Sequence, residues 1–168
     1  MTISGADEIG VDFMAGCTGC TCGDRFFNNN DGTITDCRTN LIWLKNSYCY
    51  GSQHWGTVIA FAAGLNSGEC GLTDESVEGD WHLASKEELQ GIGTDPQTTW
   101  WRFYASYYEI TWTEPGLPFV DILHSYWSST INGDFPDYAW FVGIAIGYTD
   151  YNPKYLDGAL VWPVRDPN

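Results

Sequence analysis

Basic residues are scarce: seven Lys and Arg stand against 22 Asp and Glu in 168 residues, a net charge of −15. Nucleic-acid backbones and anionic lipid surfaces are bound through Lys and Arg, so both are excluded as expected partners. Long apolar runs are missing too. Nothing approaches the roughly 20 residues of a spanning helix, and the start MTISGADEIG has neither a basic nor an apolar segment of the signal-peptide kind. No cysteine follows Cys70, and no G-x-S-x-G is present. The three histidines, His54, His82 and His124, share no metal-ligand spacing, and each is expected as a hydrogen-bonded residue instead.

What is abundant is aromatic: nine Trp, ten Tyr and eight Phe. Trp43, Trp81, Trp127, Trp140 and Trp162 sit in apolar or strand-like patterns and are expected in the core, where such rings bury the most area. The tyrosines cluster instead at 104–108 and 148–155, in polar, loop-like sequence, and are expected to be more exposed. The competing reading packs them against neighbouring loops.

Six cysteines lie at 17, 20, 22, 37, 49 and 70. An even count suggests disulfides and an oxidising home, with pairing open among the possible connectivities. Cys17, Cys20 and Cys22 with Cys37 also suggest zinc, but a zinc site ordinarily shows a second close pair, so disulfides are preferred.

Along the chain, residues 1–24 lack apolar periodicity and read as a Cys-containing N-terminal arm. Asn28 to Gly32 is hairpin chemistry between two β-prone segments. A calcium loop there fails, because Gly32 as sixth position puts Phe27 first and Arg38 twelfth. From Gln53 to Asn66, Val58, Ala62 and Leu65 repeat at helical spacing. Ser85 with Glu88 forms a capping box opening a second, short helix, and after Pro96 strands and long loops are expected. Trp140, Val142, Ile144 and Ile146 alternate with Phe141, Gly143, Ala145 and Gly147, which predicts a strand with one buried face. The fold class expected from this order is α+β.

The ordered series DGTITDCRTNLIWLKN, Cys49, GECGLTDES, GDWHLASKEELQ, PFVDI, YWSST, AWFV and VWPVR resembles the domain found at the C-terminus of collagen-like adhesins and in many bacterial, archaeal and phage surface proteins. The resemblance spans about residues 25–166. It implies a C-type lectin fold of the formylglycine-generating-enzyme subclass, with two helices, a small mixed or antiparallel sheet and long loops, for a domain at 25–168. It also implies a Cys49–Cys70 bridge, leaving Cys37 to pair with Cys17, Cys20 or Cys22. His82 and Ala84 depart from the GDWRLP of relatives, and residues 100–112 look like an enlarged aromatic insertion.

Members of this fold serve as hypervariable targets of diversity-generating retroelements, in which mutagenised adenines scatter Asn codons into a defined residue set. The non-framework residues between YWSST and VWPVR all fall in that set. The resemblance thus implies a binding face at about 131–157: Ile131, Asn132, Asp134, Phe135, Asp137, Tyr138, Phe141, Tyr148, Asp150, Tyr151, Asn152, Tyr155 and Asp157. Tyr138, Phe141, Tyr148, Tyr151 and Tyr155 are the expected anchors, since tyrosine offers large contact area at low entropy cost, with Asp134, Asp150 and Asn152 as adaptable polar contacts.

Catalysis is not expected. The late reactive cysteines of formylglycine-generating enzymes are absent, and adjacency of Asp121, His124 and Ser125 is not triad geometry. The carboxylate pairs Asp74-Glu75 and Glu87-Glu88 read as solvated or capping. Calcium-dependent sugar binding needs carboxylate and amide pairs that Glu114-Pro115-Gly116 and Phe135-Pro136-Asp137 do not supply. The expected function is recognition of a protein or cell-surface ligand at a virion or cell surface or outside the cell, with no cofactor, no metal, no nucleic acid and no membrane insertion. A fixed adhesin or a carbohydrate-binding lectin-like module is the alternative.

Overall fold

Short strands dominate the computed structural model, which describes residues 20, 25–93, 118–119, 122, 125–144 and 148–167. The expected arm, apart from Cys20, the aromatic insertion, Asp121, His124, and Ala145 to Gly147 lie outside the described residues.

The elements run β1 (Phe26–Asn28), β2 (Thr33–Asp36), β3 (Ile42–Leu44), β4 (Ser52–Gln53), α1 (Trp55–Gly64), β5 (His82–Leu83), α2 (Lys86–Gly93), β6 (Tyr126–Ile131), β7 (Tyr138–Gly143), β8 (Tyr148–Pro153), β9 (Ala159–Leu160) and β10 (Pro163–Arg165). They build two five-stranded sheets, ordered β1-β2-β3-β10-β5 and β4-β9-β6-β7-β8. The first is antiparallel throughout, whereas β6 and β9 of the second run parallel.

This corrects the expected α+β, C-type lectin fold: the described residues are mostly β, with two sheets of five strands and, among them, only two short helices, of ten and eight residues. The discrepancy has a physical origin. Strands β4, β5 and β9 are two residues long and β1, β3 and β10 three, too short to show the alternation by which a strand is read. Helices announce themselves through caps and 3.6-residue spacing, so they weigh too heavily in a reading of pattern.

Local chemistry explains the elements that were legible. In the β1–β2 hairpin Asn30 and Gly32 take positive φ, 62° and 89°. A Cβ on Gly32 would stand 2.4 Å from the Gly71 carbonyl oxygen, so close backbone approach demands glycine there. At α2 the Ser85 N–H donates to Glu88 Oε2 at 2.6 Å, and the Glu88 N–H to Ser85 Oγ at 3.2 Å, which is the capping box.

The core has two parts. Trp162 centres the larger one: its ring meets Trp43 at 5.2 Å and Phe119 and Tyr126 at 5.0 Å, and its Nε1–H donates to the Leu44 carbonyl. Leu89 and Ile92 of α2 pack there with Val142 and Ile144. On the other side of the second sheet, Val58 and Ala62 of α1 pack with Trp127, Ala139 and Val161. Trp43, Trp81, Trp127 and Trp162 are buried as expected, but Trp140 is only partly buried. Strand β7 also buries from both faces: Val142 toward α2, Ala139 toward α1.

Among the described residues, two buried ion pairs tie distant parts of the chain together. Arg25 donates from Nε and Nη2 to the two Asp36 oxygens at 2.9 and 2.7 Å and from Nη1 to the Gly91 carbonyl, joining the first hairpin to α2. Arg165 reaches Asp74 at 3.3 Å. Disulfides join Cys20 to Cys37 and Cys49 to Cys70, with Cα atoms 6.0 and 5.6 Å apart.

Candidate functional site

The second half of the second sheet carries the residues expected to bind. Strands β7 and β8 pair in full antiparallel register, Tyr138 opposite Pro153 through Gly143 opposite Tyr148. Because side chains alternate along a strand, Tyr138, Trp140, Thr149 and Tyr151 share one face, and Phe141, Tyr148, Asp150 and Asn152 the other. The expected anchors therefore divide between two faces.

On the first face the rings touch one another. Tyr151 lies 5.2 Å from Trp140, 5.8 Å from Tyr138 and 6.0 Å from Phe135, and Phe135 lies 5.8 Å from Tyr138. The Lys86 ammonium from the start of α2 caps Trp140 at 4.5 Å from the ring centroid. Trp140 is thus part of the ring cluster and not of the core. Its register opposite Tyr151 places it beside the helix terminus, where α2 covers it incompletely.

The turn between β6 and β7 is shaped by Asn132. Its side chain is buried, and Oδ1 accepts the N–H groups of Asp134 at 3.0 Å and Phe135 at 3.3 Å. Asn132 holds the turn that presents Asp134, Phe135 and Asp137 to solvent, and it is itself withdrawn. The following loop is fastened to this turn. Lys154 donates from its backbone N–H to the Asp137 carbonyl at 2.9 Å and from Nζ to the Pro136 carbonyl at 2.6 Å, with the ammonium over Trp55 at 4.4 Å. Asp157 in that loop stands 3.2 Å from His54 Nδ1.

On the opposite face Phe141 packs edge-on to Trp127 and meets Tyr148 at 6.1 Å. The Tyr148 hydroxyl donates to Asp150 Oδ2, and the Tyr151 N–H to Asp150 Oδ1 at 2.8 Å. These bonds hold the Asp150 carboxyl below its ordinary range, while the carboxylate partner raises the Tyr148 phenol. Asn152 lies beside Gly158.

Of the thirteen expected contact residues, Ile131, Asp134, Phe135, Asp137, Tyr148, Tyr155 and Asp157 are exposed. Tyr138, Phe141, Asp150, Tyr151 and Asn152 are partly buried, and Asn132 is buried. Sequence reasoning missed Lys86, Trp55 and Lys154, whose roles depend on pairings with distant residues. A cavity of about 310 Å³ lies elsewhere, lined by Asn30, Gly32, Lys45, Asn46, Cys70 and Gly71. Among the described residues no group of three His, Cys, Asp or Glu stands ready to hold a metal ion, and no helix is long and apolar enough to cross a membrane.

Residues 32–165 match the family model described as the Lcl C-terminal domain, a span that takes in every element except β1. That match names neither a lectin nor a formylglycine-generating subclass. It is compatible with a surface-binding domain, and the two disulfides suit an extracellular or surface setting. No curated protein and no solved structure matches the chain.

Proposed function

Because the chain belongs to the Lcl C-terminal domain family, we propose that it is a recognition protein, working at a virion or cell surface or outside the cell. Its contact surface comprises Ile131 with the 132–137 turn, strands β7 and β8 and the 154–157 loop, and its ligand is a protein or a cell-surface component.

One observation carries this reading. Seven large hydrophobic side chains are exposed among the described residues: Tyr48, Val77, Ile131, Phe135, Tyr148, Tyr155 and Leu156. Five of them fall between 131 and 157, so among the described residues the exposed apolar side chains are concentrated where recognition was expected. Rigid aromatic groups presented on a braced turn suit binding, because little side-chain entropy is lost on contact. The bracing comes from residues that do not face outward, Asn132 and Lys154 above all.

The finer reading is that retroelement diversification varies this surface while the tryptophan core stays constant. The non-framework residue types at 131–157 fit the adenine-mutagenesis set, and the buried Trp127 and Trp162 supply a scaffold that tolerates their change. Deep sequencing of the coding region across the source population tests it. Substitutions confined to codons 131–157, at template adenines and sparing Trp140, Trp162 and Arg165, are expected. An invariant region would instead indicate a fixed adhesin-like module, to be taken to glycan arrays. No reaction is assigned to the protein in this reading.

A further inference from the structure

The charge on the ring-bearing surface is one-sided. Between 131 and 157 stand four carboxylates, Asp134, Asp137, Asp150 and Asp157, and a single basic residue, Lys154. Lys154 is turned down onto the protein, its ammonium held by the Pro136 carbonyl at 2.6 Å and the Trp55 ring at 4.4 Å. The neighbouring Lys86 is likewise folded over Trp140 and lies 3.5 Å from Glu87. Asp134 and Asp137, by contrast, are exposed on either side of Phe135, whose ring is half exposed. The two lysines nearest the surface thus each seat an ammonium on an indole, while the exposed positions of the turn carry carboxylates and a half-exposed phenyl ring.

We propose that the turn surface around Phe135, with Tyr138 and Tyr151 behind it and Asp134 and Asp137 at its sides, docks a Lys- or Arg-rich segment of a protein partner. This rests on the recognition reading above and names the partner's chemistry. Asp134, Phe135 and Asp137 are exposed within four consecutive residues, so a basic side chain docked at this turn is offered cation–π attraction and ion pairing by one short stretch of chain. An anionic partner meets repulsion from every exposed charge of the turn. Complementary charge also steers encounter, so association falls as salt screens it, over about 10 Å at 0.1 M.

The test uses the full chain and a fluorescein-labelled decapeptide of alternating Lys and Gly, with a Glu-Gly decapeptide beside it, read by fluorescence anisotropy. Asp134→Asn with Asp137→Asn removes two charges from the turn but leaves its main-chain bonds. Glu75→Gln with Glu78→Gln removes the same charge from the loop between α1 and β5. The turn variant is expected to weaken Lys-peptide binding about tenfold and the remote pair less than about twofold. Phe135→Ala is expected to weaken it about thirtyfold, the loss of a central aromatic anchor. Equal effects of the two charge variants would reduce the binding to net charge and overturn the proposal, as would equal binding of the Glu peptide. Thermal melts of each variant verify folding. Suppose the Lys peptide ignores the turn while Phe135→Ala, Tyr148→Ala and Tyr155→Ala together still abolish attachment to cells of the source community. Then the recognition face stands and the basic partner falls; loss of neither refutes both.

Discussion

Replacing Tyr151 separates support from contact within the ring cluster. Its ring touches Trp140, Tyr138 and Phe135 at centroid distances of 5.2, 5.8 and 6.0 Å. Each such pair is worth about 0.5–1.5 kcal/mol beyond area burial. The ring is only partly buried, so Tyr151→Ala costs less than the ~3–5 kcal/mol of a fully buried aromatic and comes to about 2 kcal/mol. For a domain of this size that lowers Tm by about 4–8 °C. Tyr148 and Tyr155 differ: they are 48% and 72% exposed. The double variant Tyr148→Ala with Tyr155→Ala should shift Tm by no more than about 2 °C, as exposed substitutions do. Thermal melts followed by circular dichroism in both the far and near ultraviolet measure this. A loss for Tyr151→Ala no larger than that of the exposed pair would refute the packing argument and return Tyr151 to the free contact surface.

The cystines should appear in a non-reducing peptide map as linked peptides containing Cys20 with Cys37 and Cys49 with Cys70. Loops closed over 17 and 21 residues contribute about 3 kcal/mol each by chain entropy, so reduction should lower Tm by several degrees per bridge, read by calorimetry with and without reductant. The Tyr148–Asp150 hydrogen bond makes a prediction in pH. The Tyr148 phenol is raised from 10.0, so what it adds to stability is present below its unfolded pKa and disappears as pH climbs through the folded one. Asp150 is lowered from 3.8, so its contribution is present above the unfolded value and disappears as pH falls through the folded one. NMR titration of the Tyr148 ring carbon should show an upward displacement that vanishes in Asp150→Asn; an unchanged midpoint would remove the bond.

Elements whose cause is local were readable in the chain. Ser85 and Glu88 are three residues apart, and their reciprocal bonds need nothing from the rest of the molecule. Val58, Ala62 and Leu65 repeat at helical spacing, and all three are buried. The Asn-Asp-Gly turn closes a hairpin within one short stretch. Strands of two residues were not readable, since Ser52–Gln53 becomes a strand only because Ala159–Leu160 lies beside it. The expected lectin architecture failed for that reason: most of the β structure is held in pairings between distant residues.

The candidate site repeats the lesson at the scale of single side chains. Asn132 matched the contact set by type, yet burial makes it the turn's internal acceptor. Trp140 matched a core pattern, yet its partners are Tyr151 and Lys86. By itself the sequence determined the surplus of negative charge, the wealth of aromatic rings, the helix cap and the hairpin turn, because each is a property of composition or of neighbours in the chain. Tertiary structure alone decided which rings face together. The β7–β8 register assigns Tyr151 to one side and Tyr148 to the other, and only the fold seats Lys86 on Trp140 and Lys154 on Trp55.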